Sequence, residues 1–60
     1  MEPKRIKELR KRMGWAQAEL ARQVGVDTTT VNRWENEKQK PSQMALRQLK
    51  RLGNYPLEIS

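Results

Sequence analysis

A chain of 60 residues is at most one domain, and with no Cys and no His it lacks the disulfides, thiolates and imidazoles on which zinc sites and thiol or histidine catalysis depend. Thirteen Lys and Arg against seven Asp and Glu leave a net charge of +6, which favours a polyanionic partner, nucleic acid ahead of an anionic membrane surface. No apolar run approaches the ~20 residues that span a bilayer, and the basic start lacks the apolar stretch of a signal peptide, so a cytoplasmic protein is expected.

Pro3 suits the first turn of a helix, and Ile6, Leu9 and Met13 then mark one stripe until Gly14 interrupts it. At 100° per residue, Arg10 lies about 40° from Ile6, nearer the apolar stripe than Lys4, Lys7 or Lys11. A cation there either lays its stem along the stripe with its head in water or finds an anionic partner.

Trp15, predicted to pack at the core boundary rather than to serve as a stacking platform, and Ala16 lead into a second helix from Gln17 to Val24. Leu20, Ala21 and Val24 share one side of it, and Gly25 ends it. Ala16 stands where a Ser or Thr, with Glu19 three residues on, would complete a capping box, so this helix should start weakly. Asp27 is a strong N-cap for a third helix over Thr28 to Glu35. Two helices joined by so tight a turn must cross steeply, leaving one face of the third turned outward.

On that third helix Val31 and Trp34 fall together, Thr29 and Arg33 lie about 160° to 200° from Val31, and Thr28 and Asn32 flank the outer face. Glu35 sits only about 40° from Val31, on the inward shoulder, as Arg10 does on the first helix. The wheels predict that Arg10 and Glu35 pair in a bidentate bridge.

The segment NEKQKP, Asn36 to Pro41, reads as a loop carrying Lys38 and Lys40. Ser42 should cap a fourth helix in which Ala45, Leu46, Leu49 and Leu52 fill one arc, Arg47, Lys50 and Arg51 face solvent, and Gly53 with Asn54 gives a stop. In the tail YPLEIS, Tyr55, Leu57 and Ile59 alternate, which suits a short extended segment that either covers the core or pairs with a second copy. The sequence contains no internal repeat and no low-complexity tract.

With Gln17, Leu20, Ala21, Gly25, Val26, Val31, Trp34, Glu35 and the Pro41-Ser42 pair in place, LRKRMGWAQAELARQVGVDTTTVNRWENEKQKPS resembles the helix-turn-helix family of the phage repressor and Cro type, also called the xenobiotic-response-element type. The likeness covers roughly residues 6 to 52 and implies an all-α, compact domain of four helices, a fifth being left open, with the helix-turn-helix at residues 17 to 35 and residues 52 to 60 as a short tail. It implies that the helix from Thr28 lies in the major groove of double-stranded DNA, with Thr28, Thr29, Asn32 and Arg33 near base edges. Arg33 suits guanine O6 and N7, Asn32 adenine, and the threonine methyls thymine. Gln17, Asn36, Lys38, Lys40 and Gln43 would hold phosphates. The Arg10 to Glu35 bridge belongs to this pattern as well.

Three departures from the family pattern stand out: Ala16 in place of a small hydroxyl cap, Glu37 where the loop usually has Gly, and an ending at Ser60 that leaves no room for a full fifth helix. Homodimerisation on a palindromic site would then depend on the tail, on DNA-assisted pairing, or on a region outside these 60 residues. Charge is divided unevenly. Residues 1 to 13 carry six cations and two acids, residues 14 to 37 two and four, and residues 38 to 60 five and one. The motif is slightly acidic, and the flanks are left to supply electrostatic grip.

The leading expectation is a sequence-specific transcriptional regulator, a repressor that occupies an operator, with no cofactor and no metal. PSQMALRQL also resembles the fourth helix of DNA-binding antitoxins, which would make the basic face of that helix or the tail a docking surface for a toxin; a nucleic-acid-independent adaptor is a third reading. An enzyme is not expected, because Glu19, Glu37 and Glu58 show no paired spacing for acid and base chemistry.

Overall fold

Two glycines and two polar caps cut this chain into helices. The computed structural model describes residues 2–53, and over these it is all-helical, with α1 Pro3–Met13, α2 Gln17–Val24, α3 Thr28–Glu35 and α4 Gln43–Gly53. Pro3 opens α1, where its missing N–H costs no hydrogen bond. Gly14 closes α1 at φ 73° and Gly25 closes α2 at φ 92°, left-handed conformations that a Cβ would strain. The Gly25 and Val26 amides both donate to the Ala21 carbonyl, at 2.8 and 2.9 Å, so the chain reverses over the last turn of α2.

Asp27 caps α3, accepting from the Thr30 amide at 2.9 Å and the Thr30 hydroxyl at 2.7 Å. These bonds hold the Asp27 carboxyl below its ordinary pKa range, the hydroxyl contributing more than the amide. Ala16, at the start of α2, offers no side-chain cap. Ser42 Oγ accepts from the Ala45 amide at 3.2 Å and starts α4.

The core is small and built from every helix: Ile6 and Leu9 from α1, Leu20 and Ala21 from α2, Val31 and Trp34 from α3, and Ala45, Leu49 and Leu52 from α4. Ala21 is small enough for α3 to approach α2 closely, and this is the most extensive helix pairing of the domain. α1 packs on both α3 and α4, and α2 also meets α4. Trp34 fills the largest share of the interior, with its indole Nε1 buried and without a partner among the described residues. Met13, Trp15, Val24 and Val26 pack around the edge, which puts Trp15 at the core boundary.

One expected core position differs. Leu46, predicted with Ala45, Leu49 and Leu52, is only half-buried, because it lines an open groove between α1, the 37–41 loop and α4. The predictions for Asn54 and for the YPLEIS tail, including its covering or pairing role, and the open question of a fifth helix lie outside the described residues.

Candidate nucleic-acid interface

α3 is short, and one guanidinium ties its end to α1. Arg10 Nε donates to Glu35 Oε2 at 2.7 Å and Nη2 donates to Glu35 Oε1 at 3.1 Å, while Nη1 donates to the Trp15 carbonyl at 3.1 Å. One side chain thus ties α1 to the α1–α2 turn and to the last residue of α3. The carboxylate side chain is 4% exposed and the guanidinium 15%, so the bridge works in a partly dry environment where geometry decides its worth. Burial pushes the Glu35 pKa up, but the hydrogen bonds from Arg10 and Gln17 outweigh it and hold the carboxyl below its ordinary range. The hydrogen bond to Glu35 raises the Arg10 pKa in turn.

With Val31, Trp34 and the Glu35 side chain turned inward, α3 exposes Thr28, Thr29, Asn32 and Arg33. The side chains of Thr28, Thr29 and Arg33 make no hydrogen bond or ion pair with any described residue. Thr30, by contrast, is bound to Asp27.

Asn32 is differently placed. Its Nδ2 donates to Gln17 Oε1 at 3.4 Å, and its Oδ1 accepts from Asn36 Nδ2 at 3.1 Å. Asn36 Nδ2 also donates to the Asn32 carbonyl at 3.0 Å. Gln17 Nε2 donates to Glu35 Oε1 at 3.1 Å, so its side chain lies between the ion pair and Asn32. Helix wheels treat each helix alone and could not show this, because the Gln17–Glu35 contact depends on how α2 lies against the end of α3.

Lys38, Lys40 and Gln43 are exposed along the loop and the start of α4. Lys38 and Lys40 line the groove beside Leu46, together with Arg5, Arg12 and Lys50 and with the acids Glu2, Glu8 and Glu37. None of those cations forms a salt bridge among the described residues. Glu37 has φ 61°, a non-glycine residue in the left-handed region at the position where the resemblance implies Gly. The exposed pair Glu19 and Arg22, joined at 2.9 Å, lies on α2 and is a local surface contact; Gln23 and Arg22 together hold the Glu19 carboxyl below its ordinary range.

Among the described residues no group of three or more acidic side chains is placed to hold a metal ion, and no helix is long and apolar enough to cross a membrane. No curated protein and no solved structure matches the chain. The helix-turn-helix family model does match, over residues 6–59, which takes in all of α2, α3 and α4 and most of α1. The chain therefore belongs to the helix-turn-helix family of the phage repressor and Cro type, and its general role is that of a DNA-binding transcription regulator.

Proposed function

We propose that the protein is a sequence-specific repressor that acts by occupying an operator, with α3 in the major groove and Thr28, Thr29, Asn32 and Arg33 at the base edges. The observation that carries this reading is the exposed outer face of α3, with Thr28, Thr29 and Arg33 unengaged, on a helix tied at its end by the Arg10–Glu35 bridge. Arg33 has the fork that matches guanine O6 and N7, and the threonine methyls can contact thymine methyls. Lys38, Lys40 and Gln43 hold phosphates, whereas Asn36, expected among them, has both Nδ2 hydrogens committed to Asn32. For Gln17, whose side chain is engaged, the backbone N–H in the first turn of α2 is the group left for a phosphate. Catalysis plays no part in this mechanism, and the working compartment is the cytoplasm or the nucleoid.

Two copies would bind a palindrome with half-sites about one helical turn, ~34 Å, apart. Selection of bound duplexes from a random pool tests both points at once. A palindromic consensus is expected; equal affinity for the selected duplex and a scrambled one would overturn sequence-specific repression.

A second reading, as the antitoxin of a toxin pair, draws on Met44, a large apolar side chain 77% exposed on α4 near the basic residue Arg47. Affinity purification from the native host is its test. A stoichiometric small toxic partner would support it, and a chain recovered alone would count against it.

A further inference from the structure

The side chains from Arg10 to Asn36 form one directed series of hydrogen bonds. A guanidinium can only donate and a carboxylate can only accept, so the Arg10–Glu35 contact has one polarity. Gln17 therefore has to turn Nε2 toward Glu35, which leaves Oε1 as the atom it offers to α3. Asn32 answers with Nδ2, at a long 3.4 Å, and so directs Oδ1 toward Asn36. The far end is also fixed, because Asn36 Nδ2 donates to the Asn32 carbonyl, which can only accept. Reversing the Asn32 amide would oppose N–H to N–H at Asn36 and lone pair to lone pair at Gln17.

We propose that Gln17 and Asn36 are positioning residues that set the donor and acceptor polarity of Asn32, and that Glu35 imposes this polarity through Gln17. The proposal rests on the reading of α3 as the base-contacting helix and gives Gln17 a specificity role instead of a side-chain contact to phosphate. A primary amide has two N–H groups and two lone pairs on oxygen. The two contacts use one of each, and one of each remains, the number that a bidentate contact to adenine N7 and N6 consumes. Asn32 is thereby presented with its amide already oriented, and rotamer freedom that would otherwise be lost on binding is lost on folding.

Two measurements test this, one without DNA. In the free protein, side-chain amide NMR should show the Asn32 NH2 group ordered, and Gln17→Met should shift and mobilise it while the fold, followed by circular dichroism, persists. An Asn32 amide equally mobile in the wild type and in Gln17→Met would overturn the positioning claim whatever the protein binds. On DNA, Gln17→Met should lower discrimination at the base pair read by Asn32 by about three- to tenfold, leaving other positions unchanged. It should add nothing further to the profile of Asn32→Ala, since the two effects share one pathway. A uniform loss of affinity with the base preferences intact is the signature of a phosphate contact and would overturn the specificity role.

Discussion

The helix-turn-helix and the groove beside it handle polar side chains in opposite ways. In the motif, Glu35, Gln17, Asn32 and Asn36 are held at hydrogen-bonding distances of 2.7 to 3.4 Å in a chain that begins at Arg10. Around the groove, Arg5, Arg12, Lys38, Lys40 and Lys50 carry charge with no salt-bridge partner among the described residues. Residues 14 to 37 have two cations against four acids, whereas the segments before and after them are strongly basic. Hydrogen bonds need fixed directions, and charge attraction does not. On the proposed reading, the domain discriminates with its hydrogen-bonded, acidic part and adheres with its unpaired, basic part, provided that the two face one ligand.

The largest effect that would sharpen this contrast is on the ordered side. Arg10→Met leaves the Glu35 carboxylate, 4% exposed, without its cation and should cost about 3 kcal/mol, enough to unfold much of so small a domain. Urea denaturation measures it; a loss below about 1 kcal/mol would mean that the bridge does not organise the motif. Next comes DNA binding. Arg33→Ala should cost about 1 to 3 kcal/mol and relax preference at one base pair, whereas Lys40→Ala should weaken all duplexes alike and reduce the salt slope by about 1. If both variants behaved the same way, the division between discrimination and adhesion would be lost.

Acid probes the ordered region again. The folded-state pKa of Glu35 is depressed, so its contribution to stability is fully present above the unfolded-state value and disappears as pH falls through the folded-state value. Thermal melts should show stability dropping below about pH 4, and Glu35→Gln should flatten that slope. Asp27 and Glu19, both depressed, keep part of it. Glu37→Gly probes the basic region. Relief of the left-handed strain, offset by the greater freedom of Gly when unfolded, should stabilise by about 0.5 to 1 kcal/mol. DNA affinity should also rise as an acid leaves the vicinity of Lys38 and Lys40, and Glu37→Gln separates the charge effect from the backbone effect. The smallest change is expected from Ala16→Ser, which supplies the missing cap of α2 for about 0.5 kcal/mol.

Much of the fold is legible in local chemistry. Pro3, Gly14, Gly25, Asp27 and Ser42 each act within one turn of the chain, and they mark the helix ends that the structure shows. The pairing of Arg10 with Glu35 could be anticipated because both stand on inward shoulders of amphipathic helices. Contacts that depend on how two helices lie against each other could not. The Gln17 side chain reads as an exposed polar group near a phosphate, yet it bridges to Glu35 and Asn32 across α2 and α3. Leu46 belongs to the apolar arc of its own helix, but its burial depends on what α1 and the loop place opposite it. Glu37 adopts the backbone of a glycine, a substitution visible only as a departure from the family pattern.

The unengaged side chains of Thr28, Thr29 and Arg33 have a consequence for inheritance. Since they hold nothing in the domain, each can be exchanged with little change in stability, and on the proposed reading of α3 a lineage can move from one operator to another by single steps without passing through an unfolded intermediate. Asn32 is less free: its replacement takes a hydrogen-bond partner from Gln17 and from Asn36, so exchange at that position is felt in α2 and at the end of α3 as well.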